Sequence, residues 1–326
     1  MLSSRQMINY SIIIPHYNIP ELLIRCVRSI PERDDVEIIV VDDHSPEGDK
    51  YPERYPELSR KGLTYIHLDK NIGGGGARNV GMKHASGKWL IFADADDFFN
   101  YCLDAILDEY KDNACDIIYL NANSIDTGTY LNTGRSEPQN KRIAAYLECA
   151  NEDTDYDLRF SFGEPWCKIV SRQLVKEHNI EFEETPIHND TQFSYLTGFY
   201  AKDITADMRA AYCLTDRVQS VSRCLDPDKY ITRLTVFAKK YAFLQSNGIA
   251  FKDWEFIYNS VSFFQQHQLH EQLTQADNIL HHYGIALQDV TESVRVLQKK
   301  DKRRRFKNKI IDRANIELKK LLFIKE

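Results

Sequence analysis

Three acids in four positions, Asp94, Asp96 and Asp97, follow directly on the apolar run Trp89–Ala93, with only Ala95 between the first two. So short an apolar run is too small for a free-standing helix and reads as a buried strand. Side chains alternate faces along a strand, so Asp94 and Asp96 point the same way wherever the extended geometry persists. Two carboxylates on one side of a strand's mouth repel each other unless positive charge lies between them. A hard divalent cation meets that need, with Mg²⁺ or Mn²⁺ completing its shell from phosphate oxygens and water. On this segment alone, a solvated acidic turn leading into the helix after Phe99 is the alternative.

The second chemical stretch is Asn71-Ile72-Gly73-Gly74-Gly75-Gly76-Ala77-Arg78-Asn79-Val80-Gly81. Successive glycines let backbone approach a ligand closely, at an entropic cost. If a helix begins here, its free N–H groups and dipole favour an anion, and Arg78 adds a planar fork for phosphate. No Gly-Lys-Ser/Thr follows and the glycines miss the G-x-G-x-x-G spacing, so neither a P-loop nor a dinucleotide fingerprint is present. A flexible turn before an ordinary helix is the other reading.

These residues need a scaffold, and the flanking pattern supplies one. Tyr10–Pro15 and Val36–Val41 are apolar strands, the second ending in Asp42-Asp43; Leu63–Leu68 is a weaker third and Asp116–Leu120 a further one. Pro20 suits a first helical turn, with Asn18 as its cap, and Leu22, Leu23, Cys26, Val27 and Ile30 recur at helical spacing. Strands alternating with helices predict a parallel α/β sheet covered on both faces, with ligands beyond the carboxyl ends of its strands. Three strands end in chemistry: at Pro15–Asn18, Asp42–Ser45 and Asp94–Asp97. Further on, Val170–His178 and Ile187–Phe199 read as helices, and almost everything from Asp228 to Leu297 is helical in pattern.

A chain of 326 residues predicts about two domains. The net charge of −6 is unevenly placed: Lys299–Lys320 carries about +8, leaving the rest near −14, which argues against nucleic acid as a partner. Seven cysteines, none at C-x-x-C spacing, suit reduced thiols in a cytoplasmic protein rather than a disulfide frame or zinc site. The N-terminus lacks a signal-peptide layout, and no stretch approaches the roughly 20 apolar residues that span a bilayer.

Four segments together closely resemble the family 2 glycosyltransferases: Ser11–Asn18, Glu37–Ser45, Asn71–Gly81 and Asp94–Asp97, in the family's order and spacing over roughly the first 125 residues. The resemblance implies the GT-A fold, a Rossmann-like mixed sheet covered by helices, here with a C-terminal helical extension. It implies a nucleotide-sugar half at 1–125 and an acceptor half at 126–225; the helical pattern and the charge run add a helical domain at 226–298 and a basic amphipathic tail at 299–326. By the same resemblance Pro15 and Tyr17 pack the nucleoside, and Asp43, with Asp42, hydrogen-bonds base or ribose. Arg78 meets the nucleotide near its base or phosphates. Asp94 faces ribose or sugar, and Asp96 holds the metal that bridges the diphosphate, with Asp94 beside it.

The second half resembles the family more loosely. Pro165-Trp166-Cys167-Lys168 matches its W-x-K segment, and His188-Asn189-Asp190 stands where an acidic pair ends in the catalytic base. Asp190 is therefore the expected base, or an N-cap of the following helix. With Asn189 in place of the first acid, less like-charge repulsion should lower the pKa of Asp190 relative to an acidic pair. Trp166 stacks on a sugar or belongs to the core; Lys168 and His188 are acceptor-side candidates, His188 also a ligand for metal or diphosphate or a structural histidine. Ala211-Tyr212 through Arg217, Ser220 and Ser222 resembles the family's closing strand and loop over the donor. The expected activity is inverting transfer of a hexosyl or N-acetylhexosaminyl group from a nucleotide-diphosphate sugar, UDP-linked by preference, to a glycan or lipid-linked glycan in bacterial surface polysaccharide synthesis. A non-catalytic relative that binds donor, a sugar-nucleotide pyrophosphorylase and a phosphoacceptor signalling domain are the competing readings. Residues 299–324 read as a cationic amphipathic helix for an anionic membrane's inner face, or as a solvated helix packed on its own domain or a partner.

Overall fold

β-branched and aromatic side chains pack well on pleated backbone, and the Ile- and Val-rich runs of this chain become its buried strands. The computed structural model describes residues 7–216, 226–296 and 299. The chain divides into two compact units, 1–225 and 226–326.

The first unit runs β1 (Tyr10–His16), α1 (Pro20–Ser29), β2 (Val36–Asp42), α2 (Tyr51–Arg54), β3 (Leu63–His67), α3 (Gly73–His84), β4 (Trp89–Phe92) and β5 (Phe98–Phe99). It continues through α4 (Leu103–Tyr110), β6 (Ile117–Asp126), α5 (Glu137–Glu148), α6 (Glu152–Ser161), β7 (Lys168–Ser171), α7 (Arg172–Glu177), α8 (Thr191–Tyr200) and β8 (Ile204–Asp216). The strands form one eight-stranded sheet in the order β3-β2-β1-β4-β7-β6-β8-β5. Ile12, Ile13, Ile14, Val40, Leu90, Ile117, Ile118, Ile169 and Val170 are all fully enclosed in its core. Strand order reverses at β1, which pairs with β2 on one side and β4 on the other. By the topological rule for such sheets the ligand crevice belongs beyond the carboxyl ends of β1 and β4, where Pro15–Asn18 and Asp94–Asp97 emerge.

Four sequence expectations are corrected by the structure. The sheet is mixed, as the family resemblance implied, and not parallel throughout as strand–helix alternation alone suggested. β7 runs antiparallel to both β4 and β6, and β5 antiparallel to β8. The stretch expected as a helix over Val170–His178 begins as strand β7 and becomes α7 only from Arg172. Ile169 and Val170 are β-branched and wedged between β4 and β6, so burial on both sides overrides the helical spacing. Ser171 then accepts the Leu174 N–H and caps α7. Likewise the helix expected from Ile187 starts at Thr191, because His188 has φ 55°, outside helical geometry. Nor does Asn18 cap α1: it has φ 53°, while the Ile19 N–H is taken by His16 Nε2 at 3.0 Å.

The second unit contains α9 (Pro227–Ser246), α10 (Trp254–Gln266), α11 (His270–His282) and helical residues 287–296. Aromatic pairs hold it together: Phe237 stacks on Phe256 at 4.1 Å and Tyr230 on Phe263 at 4.0 Å. Lys240, 3% exposed, is paired with Asp253. Among the described residues no helix is long and apolar enough to cross a membrane. The basic run Lys299–Lys320 lies outside the described residues except for Lys299 itself, and Arg217, Ser220 and Ser222 also lie outside them.

Candidate active site

β4 ends at Phe92, and the turn that follows gathers Asp94, Asp96 and Asp97 so that one carboxylate oxygen from each lies within 4.8 Å of the others. Five contacts fix this turn. Asp97 N–H closes on the Asp94 carbonyl at 3.0 Å, and Asp97 Oδ1 accepts the Thr215 N–H of β8 at 2.7 Å. The Asp96 carbonyl accepts from Arg25 of α1 and from the Thr215 hydroxyl. The Asp94 N–H donates to the Tyr212 hydroxyl at 2.8 Å. Burial, then the charges of Asp94 and Asp96, pushes the Asp97 carboxyl well above the ordinary range. An all-oxygen donor set under mutual repulsion fits a hard divalent cation held by Asp94 and Asp96, with the Asp97 carboxyl packed behind them. Asp97 was absent from the sequence-derived ligand set, though a third acid in the same turn was the available signal.

Arg78 faces this cluster from α3. Its Nη2 donates to Asp94 Oδ1 at 2.6 Å and its Nη1 to Asn189 Oδ1 at 2.9 Å, while its buried Nε has no hydrogen-bond partner. A buried, half-satisfied guanidinium beside a carboxylate cluster is suited to receive phosphate oxygens.

The glycines before Arg78 also have a structural cause. All four lie within α3, and a Cβ on Gly75 would collide with the Glu183 carbonyl, one on Gly76 with Ile72, and one on Gly81 with Ile13. Close approach here is largely protein to protein, and it brings the 183–189 loop against the helix start. Gly73, at φ 78°, is in the region that favours glycine, and a Cβ there would meet nothing. Asp43 fastens the same corner: Oδ1 accepts the Ile72 N–H at 2.7 Å and Oδ2 the Gly73 N–H at 2.9 Å. It serves the orphan donors at the start of α3 from outside the helix.

Asp42, set with Asp43 at the nucleoside in the sequence reading, is fully enclosed instead. It pairs with His16 Nδ1 at 2.7 Å and His67 Nδ1 at 2.6 Å and accepts from the Ser45 hydroxyl and N–H. Burial pushes its carboxyl up, but these hydrogen bonds outweigh that and hold it below the usual range. The three residues sit side by side in register at the carboxyl ends of β1, β2 and β3, tying those ends together. His16 and His67 went unassigned in the sequence; their cross-strand alignment with Asp42 appears only once the register is known. Pro15 is half-buried and Tyr17 is 52% exposed at the end of β1.

On the other side of the crevice, Asp190 occupies the N-cap position of α8 without capping any of its N–H groups, so its carboxyl is not consumed by the helix. Burial pushes that carboxyl up to about 6; Arg78 pulls it down, while Glu164 and Asp94 push it up. The relief expected from Asn189 is thus opposed by burial and by a different like charge, Glu164, held by Gln139 at 2.7 Å. Trp166 is 5% exposed and stacks parallel on Tyr212 at 6.1 Å, so it braces the tyrosine that anchors Asp94 rather than presenting a ring to a sugar. Lys168, 1% exposed, donates to the Phe162 carbonyl and to Ser194 Oγ of α8 at 3.1 Å; it is enclosed, not open to an acceptor. His188 is half-buried in the turn before α8, and its carbonyl accepts the Thr191 N–H.

Known proteins resemble this chain in sequence and in fold. The sequence model described as Glycosyl transferase family 2 matches residues 11–178. The putative glycosyltransferase EpsH of Bacillus subtilis is 24% identical over 251 residues, 73% of this chain and 70% of that protein. The poly(ribitol-phosphate) beta-N-acetylglucosaminyltransferase TarS of Staphylococcus aureus is 28% identical over 188 residues, 55% of this chain. A poly(ribitol-phosphate) beta-glucosyltransferase of Bacillus spizizenii is 30% identical over 53% of this chain. The matched regions span only 30% and 26% of those two longer proteins. Among solved structures, TarS 1-349 in complex with UDP-GlcNAc superposes with TM-score 0.56 at 19% identity, covering 86% of this chain and 93% of that one.

Proposed function

The chain belongs to glycosyl transferase family 2 and has its GT-A fold, and from that premise we propose an inverting, metal-dependent transfer of a hexosyl or N-acetylhexosaminyl group from a UDP-sugar to a hydroxyl of a bacterial surface glycan or lipid-linked glycan. The observation that carries the reading is the convergence of the Asp94–Asp97 carboxylates, the half-satisfied Arg78 and the raised carboxyl of Asp190 on one crevice.

Asp96, with Asp94, would hold Mn²⁺ or Mg²⁺, which when bound supplies positive charge against the departing diphosphate. Arg78, beside the carboxylate turn, would bring its guanidinium charge to the same phosphates, stabilising charge that grows as the sugar–oxygen bond breaks. Pro15 and Tyr17, at the end of β1, would flank the nucleoside, and Asp43 would stand behind it. Asp190 accepts the proton of the attacking hydroxyl; a carboxyl pushed up to about 6 is ionised near neutrality yet more basic than an ordinary aspartate. Attack opposite the leaving diphosphate inverts the anomeric centre in one displacement. Two relatives are named as beta-transferases, and a β-linkage made from an α-linked nucleotide sugar requires inversion. Lys168 and Trp166 support the acceptor side through α8 and Tyr212, and His188 borders it. The basic segment 299–324, read from sequence, is assigned to the cytoplasmic face of an anionic membrane, where lipid-linked acceptors are met.

Hydrolysis of a panel of UDP-, GDP- and dTDP-sugars with Mn²⁺ tests the reading. Turnover of a UDP-sugar that disappears in Asp190→Asn supports it. Tight donor binding without turnover of any sugar would identify a non-catalytic relative instead.

A further inference from the structure

The family's acidic pair is broken in this chain by Asn189, and the structure shows what that amide touches. Its Oδ1 accepts Arg78 Nη1 at 2.9 Å, its Nδ2 donates to the Thr185 carbonyl at 3.4 Å, and its own carbonyl accepts the Glu183 N–H at 3.0 Å. Arg78 is 8% exposed, lies over the Phe182 ring at 5.4 Å, and gives its other arm to Asp94. One amide therefore joins the arginine of α3 to the loop whose next residue is Asp190.

We propose that Asn189 is a positioning residue that holds the Arg78 guanidinium and the Asp190 loop in register while adding no second negative charge to the arginine that faces the donor's diphosphate. The inference rests on the donor-site reading above. An amide oxygen orients a guanidinium through a dipole and takes none of its charge, whereas a carboxylate there would neutralise it. Arg78 already faces one carboxylate, Asp94, beside Asp96 and Asp97. A second carboxylate on its other arm would leave the pocket more negative where an anion must arrive, and unit charges a few ångströms apart in a partly buried site interact strongly. The asparagine thus sets donor affinity without touching the donor.

The test compares Asn189→Asp with Asn189→Ser, which keeps a short neutral oxygen, in calorimetric titration of UDP with Mn²⁺. Asn189→Asp is expected to raise the UDP Kd about tenfold or more, and Asn189→Ser less than about threefold. A purely structural role would lower the melting temperature of both variants and weaken UDP binding in both alike, so thermal unfolding is recorded beside each titration. Equal Kd values for wild type and a folded Asn189→Asp, or equal weakening in both variants, would overturn the inference alone. If the wild type binds neither UDP nor GDP with Mn²⁺, the donor-site reading itself falls and takes this one with it.

Discussion

Replacing Asp190 by asparagine should inactivate the protein and stabilise it at once. The carboxyl is pushed up to about 6, first by burial, with Glu164 and Asp94 raising it further and Arg78 opposing. In the unfolded chain it titrates near 3.9, so keeping it ionised in the fold costs on the order of 2–3 kcal/mol at pH 8. The sign follows from proton binding: between pH about 4 and about 6 the folded state holds the proton more tightly, so stability falls as pH rises through that window and is flat above it. Asparagine removes the ionisation and keeps the shape. A gain of about 2 kcal/mol in a unit of this size corresponds to roughly 4–8 °C in melting temperature. The gain should be present at pH 8 and vanish near pH 4. Transfer, or donor hydrolysis, should fall about 10²–10⁴-fold in the variant. In the wild type, kcat should show an acid limb near pH 6, dropping tenfold per unit below it. Thermal unfolding at pH 4, 6 and 8, beside a pH–rate profile, reads both effects. An acid limb at pH 4 together with an unchanged melting temperature for Asp190→Asn would refute the reasoning, because both require the same perturbed carboxyl.

Gly75→Ala should cost about 1–3 kcal/mol through the clash with the Glu183 carbonyl, whereas Gly74→Ala, whose nearest neighbour is Arg78 Nη1 at 3.4 Å, should be tolerated; equal melting temperatures for the two would remove the packing explanation of the glycine run. Asp42→Asn should cost about 3–5 kcal/mol at pH 7 by breaking the buried pairing with His16 and His67. Since that carboxyl is held low, the difference in urea stability from wild type should shrink as pH falls below about 4. Lys168→Met should leave UDP binding intact yet lower kcat by at least about tenfold, because α8 and the Phe162 turn lose their shared donor; lost UDP affinity would place Lys168 on the donor side instead.

Much of the fold was legible because continuous Ile/Val runs ending in acids mark buried strands whose tips carry chemistry. β7 was hidden because Val170, Leu174 and Val175 also satisfy helical spacing, and only partners on both sides choose the strand. The acid cluster and Arg78 could be found from local spacing, and the structure brings Asp94 and Arg78 into contact across 16 positions. Contacts decided by register could not be found that way: His16, Asp42 and His67 are 25 and 26 residues apart and meet only when three strands align. Trp166 and Lys168 fall in a motif that reads as acceptor chemistry, yet their environments are Tyr212, Phe162 and Ser194, which no short pattern predicts. The glycine run carried two meanings at once, and the contact with Glu183 that explains Gly75 lies more than 100 residues away.

Titration of UDP into the wild type and Asp96→Asn, each with Mn²⁺ and with excess chelator, measures whether the acid turn and Arg78 seat a metal-bound diphosphate. Wild-type affinity should fall at least about tenfold on chelation, and Asp96→Asn should bind weakly and equally with or without Mn²⁺. Wild-type binding that ignores both the metal and the substitution would contradict the account.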